Sequence, residues 1–205
     1  MSTALRDTSV SLKALLENRL SSDPDVVAML PPGSLLTVSL NTPEEMGEAG
    51  EQGLSLWLYR VVRDENLLNI PPRRVAPDRA RLPPLPMRLH YLLTPMFKLT
   101  QGVSAPEFEQ VLLGKILQLF HEQPQLRGSM LQGALADRDL EITVRLETLS
   151  LDELARVWDS LELPYMLSLA YEVSVVPVDA RRDVVTGPPV TVFAPELGTG
   201  TELVS

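Results

Sequence analysis

The sequence lacks several residue patterns on which common protein functions depend. It contains no cysteine, which excludes disulfides, thiolate metal sites and thiol nucleophiles. Lysine and arginine total 18 against 27 aspartates and glutamates, a net charge of −9, so the basic surplus of a general nucleic-acid binder is absent. The 11 glycines are outnumbered by 18 prolines, which favours stiff connections between short elements over flexible linkers.

Long apolar runs are missing as well. The N-terminal segment MSTALRDTSVSLKALLENRL carries charges throughout and lacks the apolar region of a signal peptide. No window of about 18 consecutive apolar residues predicts a transmembrane helix. We therefore expect a soluble, cytoplasmic protein without membrane insertion. Hydrophobic residues make up 44% of the 205 residues, which is sufficient for the core of one domain with or without a tail.

Catalytic motifs are the third absence. The signatures of phosphate-binding loops, dinucleotide sites, zinc proteases and serine hydrolases do not occur. Of the two histidines, His90 has no second ligand at metal-binding spacing, so a hydrogen-bonded structural role is favoured over a metal or catalytic one. His121 lies near a predicted helix C-terminus, where the dipole favours a cation. The sequence predicts no catalytic residue, cofactor or metal, and makes a structural or interaction protein the leading class.

The stretch Glu141–Asp179 organises the rest of the chain. Alternating apolar residues predict strands at 140–147 and 165–177. Between them, Ser150 and Glu153 form a capping box that begins a helix, and Pro164 ends it. The second strand is predicted to bury one set of alternate side chains, namely Tyr165, Leu167, Leu169, Tyr171, Val173 and Val175.

The same reasoning predicts further strands at 34–41, 54–63 and 87–94, and helices at 3–20 and 104–123, the latter beginning with a second capping box, Ser104 to Glu107. The acidic segment 42–53 is interpreted as a solvated loop, because its glutamates lack the spacing of a calcium-binding loop. Together these elements predict an α+β fold. It has a mostly antiparallel or mixed sheet of about five strands, with helices on its apolar face. Residues 1–179 form the domain, and residues 180–205 form an extended tail.

One segment stands out by charge. Ile70–Pro86 holds four arginines, Arg73, Arg74, Arg79 and Arg81, among six prolines of an acidic protein. It is predicted to be a PPII-like connection. A rigid surface loop and a docking loop for an acidic partner surface both remain open, the latter through bidentate arginine–carboxylate contacts. By contrast, the adjacent carboxylates Asp64 and Glu65 are expected in a turn, pointing apart, with no neighbour that shifts a pKa.

The tail contains two short stretches with β-forming composition. These are Val184-Val185 and Val190–Phe193, and the second contributes Val190, Val192 and Phe193 as candidate partner-binding residues. Such stretches suit strand addition to another subunit. A disordered terminus is the equally open alternative.

Four pieces of the sequence resemble one known family. They are WLYR at Trp57–Arg60, PPLPMRLHYLLT at Pro83–Thr94, LLGKILQLFHEQPQL at Leu112–Leu126 and LPYMLSLAYEVS at Leu163–Ser174. Over about residues 5–180 the chain resembles the cap, or tail-terminator, proteins of phage-tail-like contractile injection systems. The resemblance implies a tail-terminator-like fold and a non-enzymatic, hexameric ring. That ring ends the inner tube and holds the top of the sheath in its extended state, as part of the assembled particle.

Two rival interpretations remain open. The first is an enzyme or small-molecule-binding domain that uses the polar sheet face around Arg88, His90, Arg145 and Glu172. The second is an adaptor of another secretion apparatus.

Overall fold

The computed structural model describes residues 3–30, 33–97, 105–185 and 187. The helices are α1 (Ala4–Leu20), α2 (Pro24–Met29), α3 (Pro43–Ala49), α4 (Ala105–Glu122) and α5 (Leu151–Asp159). The strands are β1 (Val38–Ser39), β2 (Gly53–Arg63), β3 (Arg73–Ala76), β4 (Arg79–Arg81), β5 (Leu85–Met96), β6 (Gln125–Arg127), β7 (Glu141–Leu146), β8 (Leu169–Val178) and β9 (Asp183–Val185). Short 3-10 turns occur at Glu65–Leu67, Gly128–Met130 and Gly133–Leu135. The chain divides into two units, one made of residues 1–69 and 84–179 and the other of residues 70–83 and 180–205.

The first unit is built on a six-stranded sheet in the order β1-β2-β5-β8-β7-β6. Strand β1 runs parallel to β2, and the other neighbours are antiparallel. The predicted α+β class with a mixed sheet is therefore confirmed. The observed strand bounds differ most from the predicted ones at 34–41, where the strand is only the two residues of β1. Strand β6 was not predicted, because three residues are too few to show an alternating pattern.

One face of this sheet carries the main core. Helix α4 buries side chains four residues apart, including Phe108, Leu112 and Ile116, each 0% exposed, because this spacing places them on one helical face. Helix α1 contributes Leu12, Leu16 and Leu20 to the same cluster. Tyr91 of β5 joins this core and shares a 2.8 Å hydrogen bond with Ser9 Oγ, which ties α1 to the sheet.

The opposite face has a smaller core of its own. Trp158 and Leu161, in and just after α5, pack against Leu92 of β5 and Ala170 of β8. Alternate strand residues point to opposite faces, so Leu92 and Ala170 lie on the side away from Tyr91 and the main core. The expectation that all helices cover one apolar face is therefore wrong for α5, since both sheet faces are partly covered.

For the strand predicted at 165–177, the prediction of which side chains are buried is correct only in the middle of the strand. Tyr171 and Val173 are buried, but Val176, rather than Val175, lies in the core. The cause is a register shift between Met87 and Leu89, where the partner residues change from Val176 to Val173; such an irregularity moves the following side chains to the other face. The strand also begins only at Leu169, which is partly buried, so Tyr165 and Leu167 remain 49% and 46% exposed.

Helix starts follow capping chemistry. The predicted box is confirmed: Glu153 N–H donates to Ser150 Oγ at 3.3 Å, and Ser150 N–H donates to Glu153 Oε2 at 2.9 Å. The loop predicted at 42–53 is wrong, because it contains α3, which begins with the same reciprocal box between Thr42 and Glu45. Gly50 ends that helix with φ +67°, a left-handed conformation that glycine adopts without strain. In the box predicted for α4, Ser104 lies outside the described residues.

The second unit contains a three-stranded sheet in the order β3-β4-β9. Strands β3 and β4 form an antiparallel hairpin, and β9 pairs antiparallel with β4. The predicted PPII-like connection is therefore wrong, since the arginine-rich segment forms strands. Residues 70–83, which were expected within the domain of residues 1–179, form one unit with the residues from 180 onward.

Candidate functional site

The small sheet brings the four predicted docking arginines together. Arg73 lies opposite Arg81, and Arg74 lies opposite Ala80 in the hairpin register. Arg79 begins β4 after the Pro77-Asp78 turn. A run of arginines on two adjacent short strands concentrates positive charge, which suits recognition of carboxylate groups.

Two of these arginines are engaged within the unit. Arg81 Nε donates to Asp183 Oδ1 at 3.1 Å, which links β4 to β9. Arg74 donates to the carbonyl oxygens of Pro77 at 3.1 Å and Gly187 at 3.4 Å. Within the described part of the chain, Arg73 and Arg79 form no ion pair. Two arginines of the hairpin, Arg74 and Arg81, therefore form contacts within the unit, and the guanidinium groups of the other two are available to a partner.

Of the two tail stretches with β-forming composition, Val184-Val185 lies in strand β9. Val184 and Val185 lie opposite Ala80 and Arg79 in the register of β4. Val185 is nonetheless 79% exposed, and none of the described strands pairs with the outer edge of β9. Such an edge exposes unpaired N–H and C=O groups. The remaining candidate residues, Val190, Val192 and Phe193, lie outside the described residues.

The polar sheet face of the first unit holds a partly buried ion cluster. Arg88 donates to both carboxylate oxygens of Asp64, at 3.0 and 3.1 Å, and to Glu172 Oε2 at 3.5 Å. The hydrogen bonds from Arg88 lower the pKa of Asp64, and the bonds to Asp64 raise the pKa of Arg88 in return. The expectation that nothing shifts the pKa of Asp64 is wrong, because the residue that pairs with it lies 24 positions away in sequence.

A second polar group lies on the same face. His90 Nδ1 is 2.9 Å from Glu147 Oε2, and the Tyr59 hydroxyl donates to the same oxygen at 3.0 Å. Burial, followed by the charge of Glu147, raises the pKa of Tyr59, so its phenol stays protonated and serves as a donor. His90 is only 4% exposed, in agreement with the predicted hydrogen-bonded role.

These contacts define what the polar face does chemically. The structure brings Arg88, His90 and Glu172 onto neighbouring strands, and Arg145 lies opposite Glu172 without a resolved ion pair among the described residues. The charges of Arg88, Asp64 and Glu172 are paired with one another across the sheet, which is the arrangement of a stabilising network. Within the described ranges, no three histidines or carboxylates are grouped closely enough to hold a metal ion.

Nor does any helix in the described part of the chain have the length and apolar character needed to cross a membrane.

Comparison with known proteins gives a consistent answer. The model of the Pvc16 N-terminal domain family matches residues 7–192. No curated protein matches the chain. Among solved structures, the PVC sheath/tube terminator of an extracellular contractile injection system, in its extended state, is similar with a TM-score of 0.63 and 20% identity, covering 98% of this chain and 65% of that one. The tube-terminating cap of the anti-feeding prophage is similar with a TM-score of 0.57 and 16% identity, covering 93% of this chain and 60% of that one.

At these identities the two structures establish a shared fold. The chain spans less than two thirds of the length of either structure. The resemblance drawn from the sequence is confirmed by the family match together with the two solved structures, which are a sheath/tube terminator and a tube-terminating cap.

Proposed function

The chain belongs to the Pvc16 N-terminal domain family, and from this premise we propose that it is a structural, non-enzymatic cap of a contractile injection system. In this role it forms a hexameric ring that ends the inner tube and anchors the top of the sheath in its extended state. The observation that carries the proposal is the fold shared over 98% of the chain with a sheath/tube terminator. Its place is in the assembled particle, which is built in the cytoplasm.

The physics of a cap supports this role. A ring on a six-fold tube is closed by side-to-side contacts between two different surfaces of each subunit. It also needs surfaces for tube and sheath. The described residues offer an arginine hairpin with two available guanidinium groups, Arg73 and Arg79, and the open outer edge of β9.

We assign these two features to partner binding. Arg73, Arg74, Arg79 and Arg81 form a basic surface for an acidic rim of the tube or sheath, with Arg73 and Arg79 in direct contact. Val190, Val192 and Phe193 follow β9 in sequence and have the composition for strand addition to the sheath. Strand addition satisfies an otherwise open edge at the last sheath layer.

The test is binding to tube ends. Purified protein is mixed with inner tubes assembled from the tube protein of the same system, and end occupancy and ring symmetry are measured by negative-stain class averages and mass photometry. We expect six-fold rings at tube ends and no further tube growth. A stable monomer that leaves tube ends free would contradict the proposal.

The same experiment separates the rival interpretation of a small-molecule-binding domain. A cap restricts tube length at stoichiometric amounts, whereas a binding domain leaves the tube-length distribution unchanged.

A further inference from the structure

A cleft opens on the polar sheet face between β2 and α5. Its volume is about 390 Å³, within the range of about 300–1,000 Å³ typical of binding pockets. Trp57 and Tyr59 of β2 form one wall, and Leu149 and Val157 contribute apolar surface from the α5 side. None of the structural roles described above accounts for this apolar opening.

The aromatic wall is held in place before any partner arrives. The Tyr59 hydroxyl donates to Glu147 at 3.0 Å, and His90 binds the same carboxylate at 2.9 Å. The rings of Trp57 and Tyr59 lie 6.0 Å apart between centroids. A wall fixed in this way loses little conformational entropy on binding, which favours affinity.

The cleft also carries a net positive charge, because two arginines and a single carboxylate line it. Glu153 is its only lining carboxylate, and that group already accepts hydrogen bonds from Ser150 N–H at 2.9 Å and Ser150 Oγ at 2.8 Å. Arg60 and Arg156 line the same cleft, and neither forms an ion pair with a described residue. The cleft therefore suits an apolar side chain adjacent to a carboxylate.

A surface with that chemistry exists on the same unit. The turn Glu65–Leu68 exposes Leu67 and Leu68, at 39% and 37%, beside Glu65, which is exposed and unpaired among the described residues. The turn is anchored by Asp64, whose Oδ1 accepts from Asn66 N–H at 2.9 Å. Because Arg88 in turn binds Asp64 through two bonds, the two leucines and the glutamate project from a fixed base.

We propose that these two surfaces meet between neighbouring copies, so that the Glu65–Leu68 turn of one subunit occupies the cleft of the next. Leu67 and Leu68 bury against Trp57 and Tyr59, and the Glu65 carboxylate pairs with the guanidinium groups at the cleft. Two different patches that complement each other are what a closed cyclic contact requires. An anchored apolar group in a pocket with charged neighbours is also typical of an interface hot spot. The inference rests on the proposed ring, for which it supplies the side-to-side contact.

Complementary variants provide the test. A cleft variant carries Arg60→Glu and Arg156→Glu, and a turn variant carries Glu65→Gln and Leu68→Ser, which leaves Asp64 intact. A control variant carries Arg127→Glu and Arg145→Glu, the same charge change on exposed residues elsewhere in the first unit. Far-UV circular dichroism and thermal melting establish that all three are folded, and mass photometry with tube-end class averages measures assembly.

We expect each interface variant alone to lose ring formation, with self-association at least about tenfold weaker, while the control assembles as the wild type does. Mixed at equal amounts, the two interface variants should form dimers that grow no further. The turn of the cleft variant still fits the cleft of the turn variant, while both outer surfaces of that pair are disabled.

Three outcomes would overturn the inference, and they are distinguishable from failure of the cap role. Intact rings from both interface variants would leave the cap role standing and remove this contact. Intact rings that no longer bind tube or sheath would mean that another partner occupies the cleft. A wild type that neither forms rings nor occupies tube ends would remove the cap role together with the contact.

Discussion

Arg88 of the first unit and Arg73 and Arg79 of the second unit use their charge in different ways. In the first unit, Arg88 is bound by Asp64 and Glu172 across adjacent strands, so its charge is used to hold the sheet together. In the second unit, Arg73 and Arg79 form no ion pair within the described part of the chain. The difference separates an arginine whose charge is bound within its own unit from arginines whose charge is available to a partner.

The comparison extends to the cores. The first unit buries a continuous apolar cluster between its sheet and helices α1 and α4, whereas the second is a three-stranded sheet whose β9 residues are all exposed. Small sheets without a large buried face contribute little stability of their own. The first unit should therefore determine folding stability, and the second should affect assembly more than stability.

The largest expected effect concerns the main core. Phe108 of α4 is 0% exposed and makes an edge-to-face contact with Phe97, with ring centroids 4.7 Å apart. We expect Phe108→Ala to lower the free energy of unfolding by about 3–5 kcal/mol, because it removes buried area and leaves a cavity. Chemical denaturation measures this value.

A matched control is Leu151→Ala, since Leu151 is 69% exposed and should change stability by less than about 0.5 kcal/mol. Equal losses in the two variants would show that the assignment of the core to α4 is wrong.

A smaller effect is expected on how the stability contributed by the ion cluster of Asp64 and Arg88 depends on pH. The hydrogen bonds from Arg88 lower the pKa of Asp64 in the folded state, so the stabilising contribution is fully present above the unfolded pKa of about 3.9. It is lost as the pH falls through the lower, folded pKa. We expect Asp64→Asn to be less stable than the wild type at pH 6, with this difference shrinking below about pH 4. Thermal melting across this range measures the effect, and a difference that stays constant on acidification would contradict it.

The capping box of α5 should contribute less again. Ser150→Ala removes the acceptor for Glu153 N–H, and loss of such a cap costs about 1 kcal/mol. Thr148→Ala is the control, because Thr148 is an exposed residue outside the helix. Denaturation curves that coincide for Ser150→Ala and the wild type would indicate that α5 is held by Trp158 and its neighbours alone.

Local patterns predicted the elements of this fold better than its long-range pairings. The alternation in β7 and the box at Ser150 were readable because their signals lie within a few residues. The box at Thr42 carried the same signature but was assigned to a loop, since the glutamates around it suggested solvation. The pairing of Arg88 with Asp64, and the shift that places Val176 in the core, depend on neighbouring strands, which sequence periodicity does not encode.

The candidate surfaces illustrate the same limit. The four arginines were identified by composition, yet their division into two engaged and two available residues depends on Asp183 and Gly187, more than 100 positions away along the chain. Likewise, the cleft beside Trp57 requires β2 and α5 to lie together, which no motif predicts. The sequence did identify the family, because several short sequence runs that resemble it occur in a fixed order.

The smallest expected effect on stability, and the sharpest test of the comparison, is a change of Arg73 and Arg79 to serine. Because both are exposed strand residues without described partners, we expect the free energy of unfolding to change by less than about 0.5 kcal/mol. Binding to tube or sheath should nonetheless weaken, and the remaining binding should depend less on salt, since exposed charge contacts are screened within about 8–10 Å at physiological ionic strength. Arg81→Ser is the paired variant: it breaks the bond to Asp183 and should lower hydrogen-exchange protection at Val184 and Val185 instead. If removing Arg73 and Arg79 left both affinity and salt dependence unchanged, their free charge would have no role in docking, and the hairpin would be a surface loop that only pairs with β9.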